Sequence, residues 1–354
     1  MEPITHLLTG AVLARTGFNR RAAYATVAMV IAAELPDLDV VSSFFGPVTG
    51  LEHHRGITHT FIALPIEAAI VTAAFYAFHR LRKNPSARRA STHWPILFTG
   101  CLLALLSHLL LDWTNNYGLR PFFPFNPHWY AGSFVFIFEP ILFLIVLGAL
   151  ILPALFGLIN SEVGYRKPAF PGRALAFAAL IAIAALYLFR FNEHSKALRL
   201  AALNQPDQTT RIFASPHPTN PFLWHVVTDT PAFLQLSTVD TRTATTLPSI
   251  PSDTLYKPQT TLPLLAAKRT YLGRIYLDWS QYPILSEAPS FTDANHPLTP
   301  SLITVTFSDA RFLYDVSILH GRTHPPLSGS VTLDMAAPEG DRVIETEMDG
   351  RHQH

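Results

Sequence analysis

A single cysteine, Cys101, occurs in 354 residues, so no disulfide framework can organise the chain. Charge is scarce as well. Asp, Glu, Lys and Arg make up 14% of the residues, against about 25% in soluble domains. The formal net charge is +1, without the concentrated basic patch that nucleic-acid binding requires, so no nucleic-acid partner is expected. There is no glycine-rich phosphate loop and no internal repeat. Met1-Glu2-Pro3 lacks a positively charged n-region and an early cleavage site, so a removed signal peptide is not expected.

What the chain does have is apolar sequence. Hydrophobic residues make up 49% of it, and the mean hydropathy of +0.23 averages two unlike parts. A bilayer core takes about 20 apolar residues as a helix, with a range of about 17–25. Runs at 60–79, 95–111, 134–157 and 174–191 meet that length well or nearly. A shorter run at 22–35 stops at Pro36, and residues 4–13 can pack as a half-depth helix. These runs predict a bundle of about five to six membrane-embedded helices over residues 1–193. Basic clusters at Arg15-Arg20-Arg21, Arg80–Arg89 and Arg166-Lys167-Arg173 alternate correctly for cytoplasmic loops. The loops holding 37–59 and 112–130 then fall outside, and so does everything after about Glu193. Trp94, Trp113, Trp129 and Tyr130 suit an interfacial belt.

From about residue 204 the pattern changes to short β-branched stretches broken by Pro, Asn and Asp. Strands are expected at 209–213, 233–238, 274–279, 301–307 and 331–333, in a small mainly-β soluble domain over 204–337. Residues 243–263 read as loop, and 338–354 as a polar tail, partly disordered. Trp224 and Trp279 are expected in the core of this domain, and His217, His225, His320 and His324 on its surface.

The informative residues are polar ones stranded beside apolar runs. His6 opens the first run, Asp37 and Asp39 follow Pro36, and His53, His54 and His59 precede the next run. His108 and Asp112 end another, and His128 and Glu139 flank the start of the run at 134–157. All lie near the outer ends of their segments, at one depth. His108 and Asp112 are four apart, so they share one helix face. Gly56 permits a turn before Thr58 or Thr60 caps the following helix. Ionisable groups at a membrane boundary are costly and point to function. A nitrogen- and oxygen-rich set without thiolate suits zinc or manganese, as one ion or two bridged by a carboxylate.

Thr5-His6, Pro36-Asp37-Leu38-Asp39, His54-Arg55-Gly56-Ile57-Thr58-His59-Thr60 and Ser107-His108-x3-Asp112-x4-Tyr117-Gly118 resemble the inner-membrane metal-dependent hydrolase family typified by YdjM and YbcI. The resemblance covers about residues 1–190. It implies a bacterial inner-membrane enzyme whose reaction class, but not substrate, is defined. Glu139-Pro140 stands where that pattern has aspartate followed by proline. The order of ligands is also similar, more distantly, to that of zinc-dependent phospholipase C.

The expected metal ligands are therefore His6, Asp39 (or Asp37), His54, His59, His108 and Asp112; His53 is not one of them. Arg55 is expected to contact a substrate anion, and Asp37 or Glu139 to act as general base or to fix a ligand histidine. A site at the outer membrane face suits a lipid or lipid-linked phosphoester. The alternatives are a non-catalytic metal-binding or transport protein, and a metal that only staples helices. Transport sites favour mid-depth polar residues and inverted repeats, and neither is evident here.

Overall fold

The computed structural model describes residues 1–81, 92–162, 172–247, 253–290, 301–314 and 325–353. The chain divides into two compact units, Met1–Asp39 with Arg55–Glu193, and Val40–His54 with His194–His354. In chain order the helices of this part are α1 (Pro3–Leu13), α2 (Ala25–Glu34), α3 (Pro47–His53), α4 (Ala63–Leu81), α5 (Trp94–Thr114), α6 (Pro140–Glu162) and α7 (Arg173–Leu203). The division between units falls inside α7, and α3 belongs to the second unit.

In the first unit, Glu2 caps α1 by accepting from the Thr5 N–H at 3.0 Å, and Pro3 follows at the first helical position. Gly10 lets α1 cross α2 closely. A Cβ there would lie 2.7 Å from the Met29 carbonyl oxygen and 2.8 Å from the Ala33 Cβ. Small residues of α2 (Ala25, Ala28, Ala32, Ala33) pack with Leu97, Cys101, Ala104 and Leu105 of α5. Small residues let apolar helices approach without a hydrophobic drive between them. The buried face of α5 continues with helical spacing to His108 and Asp112, so the packing that orients the helix also aims its polar end inward. Thr60 starts α4 by accepting from the Ala63 N–H at 3.2 Å.

Among the described residues two helices, α5 and α7, are long and apolar enough to cross a bilayer. The expected five to six are not reached. Helices α1 and α2, at 11 and 10 residues, are too short, and the described apolar part of α6 spans Pro140–Phe156. Residues 134–138 were expected in that run but precede the helix, which begins at Pro140.

The second unit holds two antiparallel five-stranded sheets. One has β1 (Arg211–Pro216), β2 (Leu223–Asp229), β3 (Phe233–Asp240) and β4 (Thr245–Leu247) in order, with β5 (Thr254–Tyr256) also on β3. Helices α8 (Leu262–Arg269) and α9 (Tyr271–Trp279) come next. The other sheet runs β10-β9-β8-β7-β6, from β6 (Pro283–Pro289), β7 (Leu302–Asp309), β8 (Gly329–Asp334), β9 (Val343–Met348) and β10 (Arg351–His352).

Four expectations change here. Residues 274–279 are helix, because Thr270 caps α9 through the Gly273 N–H at 3.1 Å and the buried Leu272, Tyr276 and Trp279 follow helical rather than alternating spacing. The tail at 338–353 is ordered as the edge of the second sheet, where β9 pairs with β8. Within the expected loop at 243–263, β4 and β5 pair with β3. His225 is buried, its Nε2 2.9 Å from the Ala310 carbonyl oxygen, while His320 and His324 lie outside the described residues. Trp224 and Trp279 are in the core as expected. Segment 40–54 joins this unit through Tyr271, whose hydroxyl donates to Glu52, and through Gln353, whose Oε1 accepts from the Val48 N–H at 2.9 Å.

A buried ion pair anchors the second unit. Asp309 accepts from Arg311 Nη2 at 2.8 Å, from the Ser280 hydroxyl at 2.6 Å and from the Gln281 N–H at 3.1 Å. The Arg311 guanidinium lies 5.0 Å from the Trp279 ring centre. Burial raises the Asp309 carboxyl, but the Arg311 charge and the hydrogen bonds from Arg311 and Ser280 outweigh it and hold it below the usual carboxylate range. Its stabilising contribution is therefore complete above about pH 4 and declines as pH falls further. Asp309→Asn removes the buried carboxylate that pairs with Arg311 and should lower stability by about 3–5 kcal/mol. Denaturant unfolding of the full chain in detergent, followed by tryptophan fluorescence, measures both effects. An unchanged midpoint would refute them.

Candidate metal centre

Four segments of the first unit deliver polar side chains to one place. Helix α5 presents His108 and Asp112 one turn apart. After α2, Pro36 diverts the chain into a 3₁₀ stretch, Leu35–Phe45, that carries Asp37 and Asp39. A 3₁₀ turn at Ile57–His59 supplies His59, and α1 supplies His6. His6, His59, His108 and Asp112 are all wholly buried.

Asp37, His59, His108 and Asp112 form a group whose donor atoms lie within 4.8 Å of one another. His59 Nε2 is 3.1 Å from His108 Nε2. Asp37 Oδ1 is 3.3 Å from His59 Nε2 and 3.6 Å from His108 Nε2. Asp112 Oδ2 is 3.5 Å from each of the same two nitrogens. In a tetrahedral site with bonds of about 2.0–2.2 Å, ligand atoms stand roughly 3.4 Å apart. The donor set and its spacing thus fit a divalent ion. Among the described residues Asp112 Oδ2 has no hydrogen-bond partner although it is buried, as expected of a lone pair kept for a cation.

The surrounding contacts orient these ligands. His108 Nδ1 lies 2.7 Å from the Ala33 carbonyl oxygen; donation there leaves Nε2 as the free lone pair. Asp39 Oδ2 is 3.3 Å from His59 Nδ1 and plays the same part for that ring. Burial raises the Asp37 carboxyl, but the contact with His59 and the fields of His108 and His59 prevail and keep it well below the usual range, so it stands ionised as a ligand must.

Arg55 is buried beside the cluster. Its guanidinium donates to Asp112 Oδ1 at 2.8 Å, to Asn115 Oδ1 at 3.2 Å and to the Gly118 carbonyl oxygen at 3.0 Å, and it lies 4.8 Å from the Tyr117 ring centre. With φ +53°, Arg55 also gives its backbone N–H to Asp39 Oδ2 at 2.7 Å. That left-handed conformation is uncommon outside glycine and clusters at functional sites. His6 stacks on His108 with ring centres 3.9 Å apart, and its Nε2 is 3.5 Å from Asp112 Oδ1. Among the described residues neither His6 nitrogen has a hydrogen-bond partner. The Met1 amine also rests on Asp112 Oδ1.

His54 caps the C-terminus of α3 and is assigned to the second unit. His53 is exposed and bonds the Thr49 carbonyl oxygen at 3.0 Å. His128 is exposed against Tyr130. Glu139 is buried in an ion pair with Arg190 of α7. Arg190 is a lone cation inside the apolar run at 174–191, a signal in the sequence that calls for a buried acid as partner.

Apolar helices enclosing a histidine–aspartate cluster define a membrane protein with a candidate metal centre. The chain belongs to the YdjM inner membrane protein family, whose model matches residues 1–197. It is also 28% identical over 124 residues to "Uncharacterized protein YfhP" of Bacillus subtilis (strain 168), covering 35% of this chain and 35% of that protein. No solved structure matches it.

His108→Ala should abolish bound divalent metal in the purified protein, as read by elemental analysis. Asp39→Asn should weaken metal affinity by roughly 10–100-fold while leaving the melting temperature near wild type. Full metal content in His108→Ala would exclude this centre.

Proposed function

We propose that this chain is a membrane-embedded, metal-dependent hydrolase with its site at the outer membrane face. The observation that carries the reading is the four-donor cluster of Asp37, His59, His108 and Asp112 at tetrahedral spacing. Zinc suits its two imidazoles and two carboxylates, and manganese is the second choice. A bound divalent ion supplies Lewis acidity, which at such sites lowers the pKa of water from 15.7 to about 7.

The chain's own residues do the rest. Asp39 and the Ala33 carbonyl fix the two ligand rings. Arg55 holds Asp112 so that Oδ2 faces the histidines. Asp37 is the ligand with partial solvent access, and its side is where substrate approaches. The alternation of basic loops supports the outer-face assignment and, with it, a bacterial inner-membrane location. Apolar walls suit a lipid or lipid-linked phosphoester.

A structural metal is the second reading, favoured by the complete burial of three of the four donors. A hydrolysis screen of phospholipids and generic phosphoesters, with metal-loaded protein, separates the two. Turnover that falls at least 100-fold in Asp112→Ala supports catalysis. Absent turnover, combined with a large loss of thermal stability on chelation, supports the staple.

A further inference from the structure

At the opposite end of the first unit lies a cavity of about 360 Å³ lined by Thr16, Gly17, Phe18, Arg20, Arg21, Ile96 and Arg173. We propose that it is a phosphate site that takes the headgroup of an anionic phospholipid. Three guanidinium-bearing residues line it, and no carboxylate does so among the described residues. Arginine matches phosphate oxygens two at a time, so this lining suits a phosphate group better than a lone point charge would. Phe18 and Ile96 give the cavity an apolar side, as a glycerol backbone and acyl chain would need.

The cavity is built rather than incidental. Gly17, at φ +152°, interrupts the helical turn after α1, and a Cβ there would meet nothing within 4 Å. Arg173 Nε donates to the Thr16 carbonyl oxygen at 3.0 Å, and Arg15 Nη1 donates to the Leu150 carbonyl oxygen at 2.9 Å. These bonds tie the end of α1 to α7 and α6 and hold the mouth in shape. Positive charge at helix ends also sets membrane orientation, but orientation needs no concave receptor. Basic pockets between membrane helices are where anionic headgroups bind, and the volume lies within the usual range of ligand sites, about 300–1,000 Å³. The site is separate from the metal centre. Ile96 and His108 lie on one helix, about 18 Å apart at 1.5 Å per residue.

The test is a titration of the purified full-length protein in detergent by native mass spectrometry. The probes are phosphatidylglycerol and phosphatidylcholine of equal acyl length, with inorganic phosphate titrated separately by calorimetry. Phosphatidylglycerol should bind at least tenfold more tightly than phosphatidylcholine. Arg21→Gln combined with Arg173→Gln should remove that preference, while Arg199→Gln, an exposed arginine elsewhere, should keep it. Arg21→Gln alone guards against misfolding of the double variant and should weaken binding severalfold with an unchanged melting temperature. Phosphate binding that Arg21→Gln weakens, without a lipid preference, supports the anion site and names the free ion as its source. Equal binding of both lipids without phosphate binding, or affinity unchanged in both variants, overturns the proposal.

Discussion

The Asp112 carboxylate is the contact on which the first unit turns. One oxygen is held by the Arg55 guanidinium, and the other stands between His59 and His108. A buried carboxylate without a positive partner is unstable. Arg55 therefore fixes both the charge and the orientation of Asp112, and the Asn115 and Gly118 contacts fix Arg55 in turn. Because one carboxylate links a helix, a turn and the loop after the helix, small displacements of any of them reach the donor cluster.

Family membership and geometry describe different levels of this protein. Membership in the YdjM inner membrane protein family accounts for the apolar helices, and its match ends at residue 197, before the β sheets. The donor spacing speaks only to what the residues can bind. Zinc-like geometry with three wholly buried donors serves a hydrolase if Asp37 admits solvent, and a staple if it does not.

Parts of this arrangement were legible because they are local. The four-residue step from His108 to Asp112 is fixed by helix pitch, and Pro36 marks the end of α2 without any knowledge of the fold. The choice between Asp37 and Asp39 was not legible. It depends on the 3₁₀ stretch that turns Asp37 toward His59 Nε2 and Asp39 toward His59 Nδ1. Nor was the commitment of Arg55 to Asp112, which needs a left-handed residue that no local preference announces. In the second unit, Tyr, Ile and Trp at 274–279 carry strand preference, yet the Thr270 cap and packing on the helical face prevail. The tail 338–353 is polar and reads as disorder, but its ladder to β8 is made by backbone, which composition does not reveal.

The route of the chain through residues 40–54 has a consequence for modularity. That segment begins one residue after Asp39 and ends one residue before Arg55, yet Val48 and Leu51 are buried within the second unit. The chain thus passes between the units three times, and no single cut separates them. A gene fragment ending near residue 193 would keep every donor of the four-residue cluster but strand the apolar face of α3 between two of the residues that hold that cluster. Any chain that kept the helical part without these β sheets would have to bury this segment in some other way.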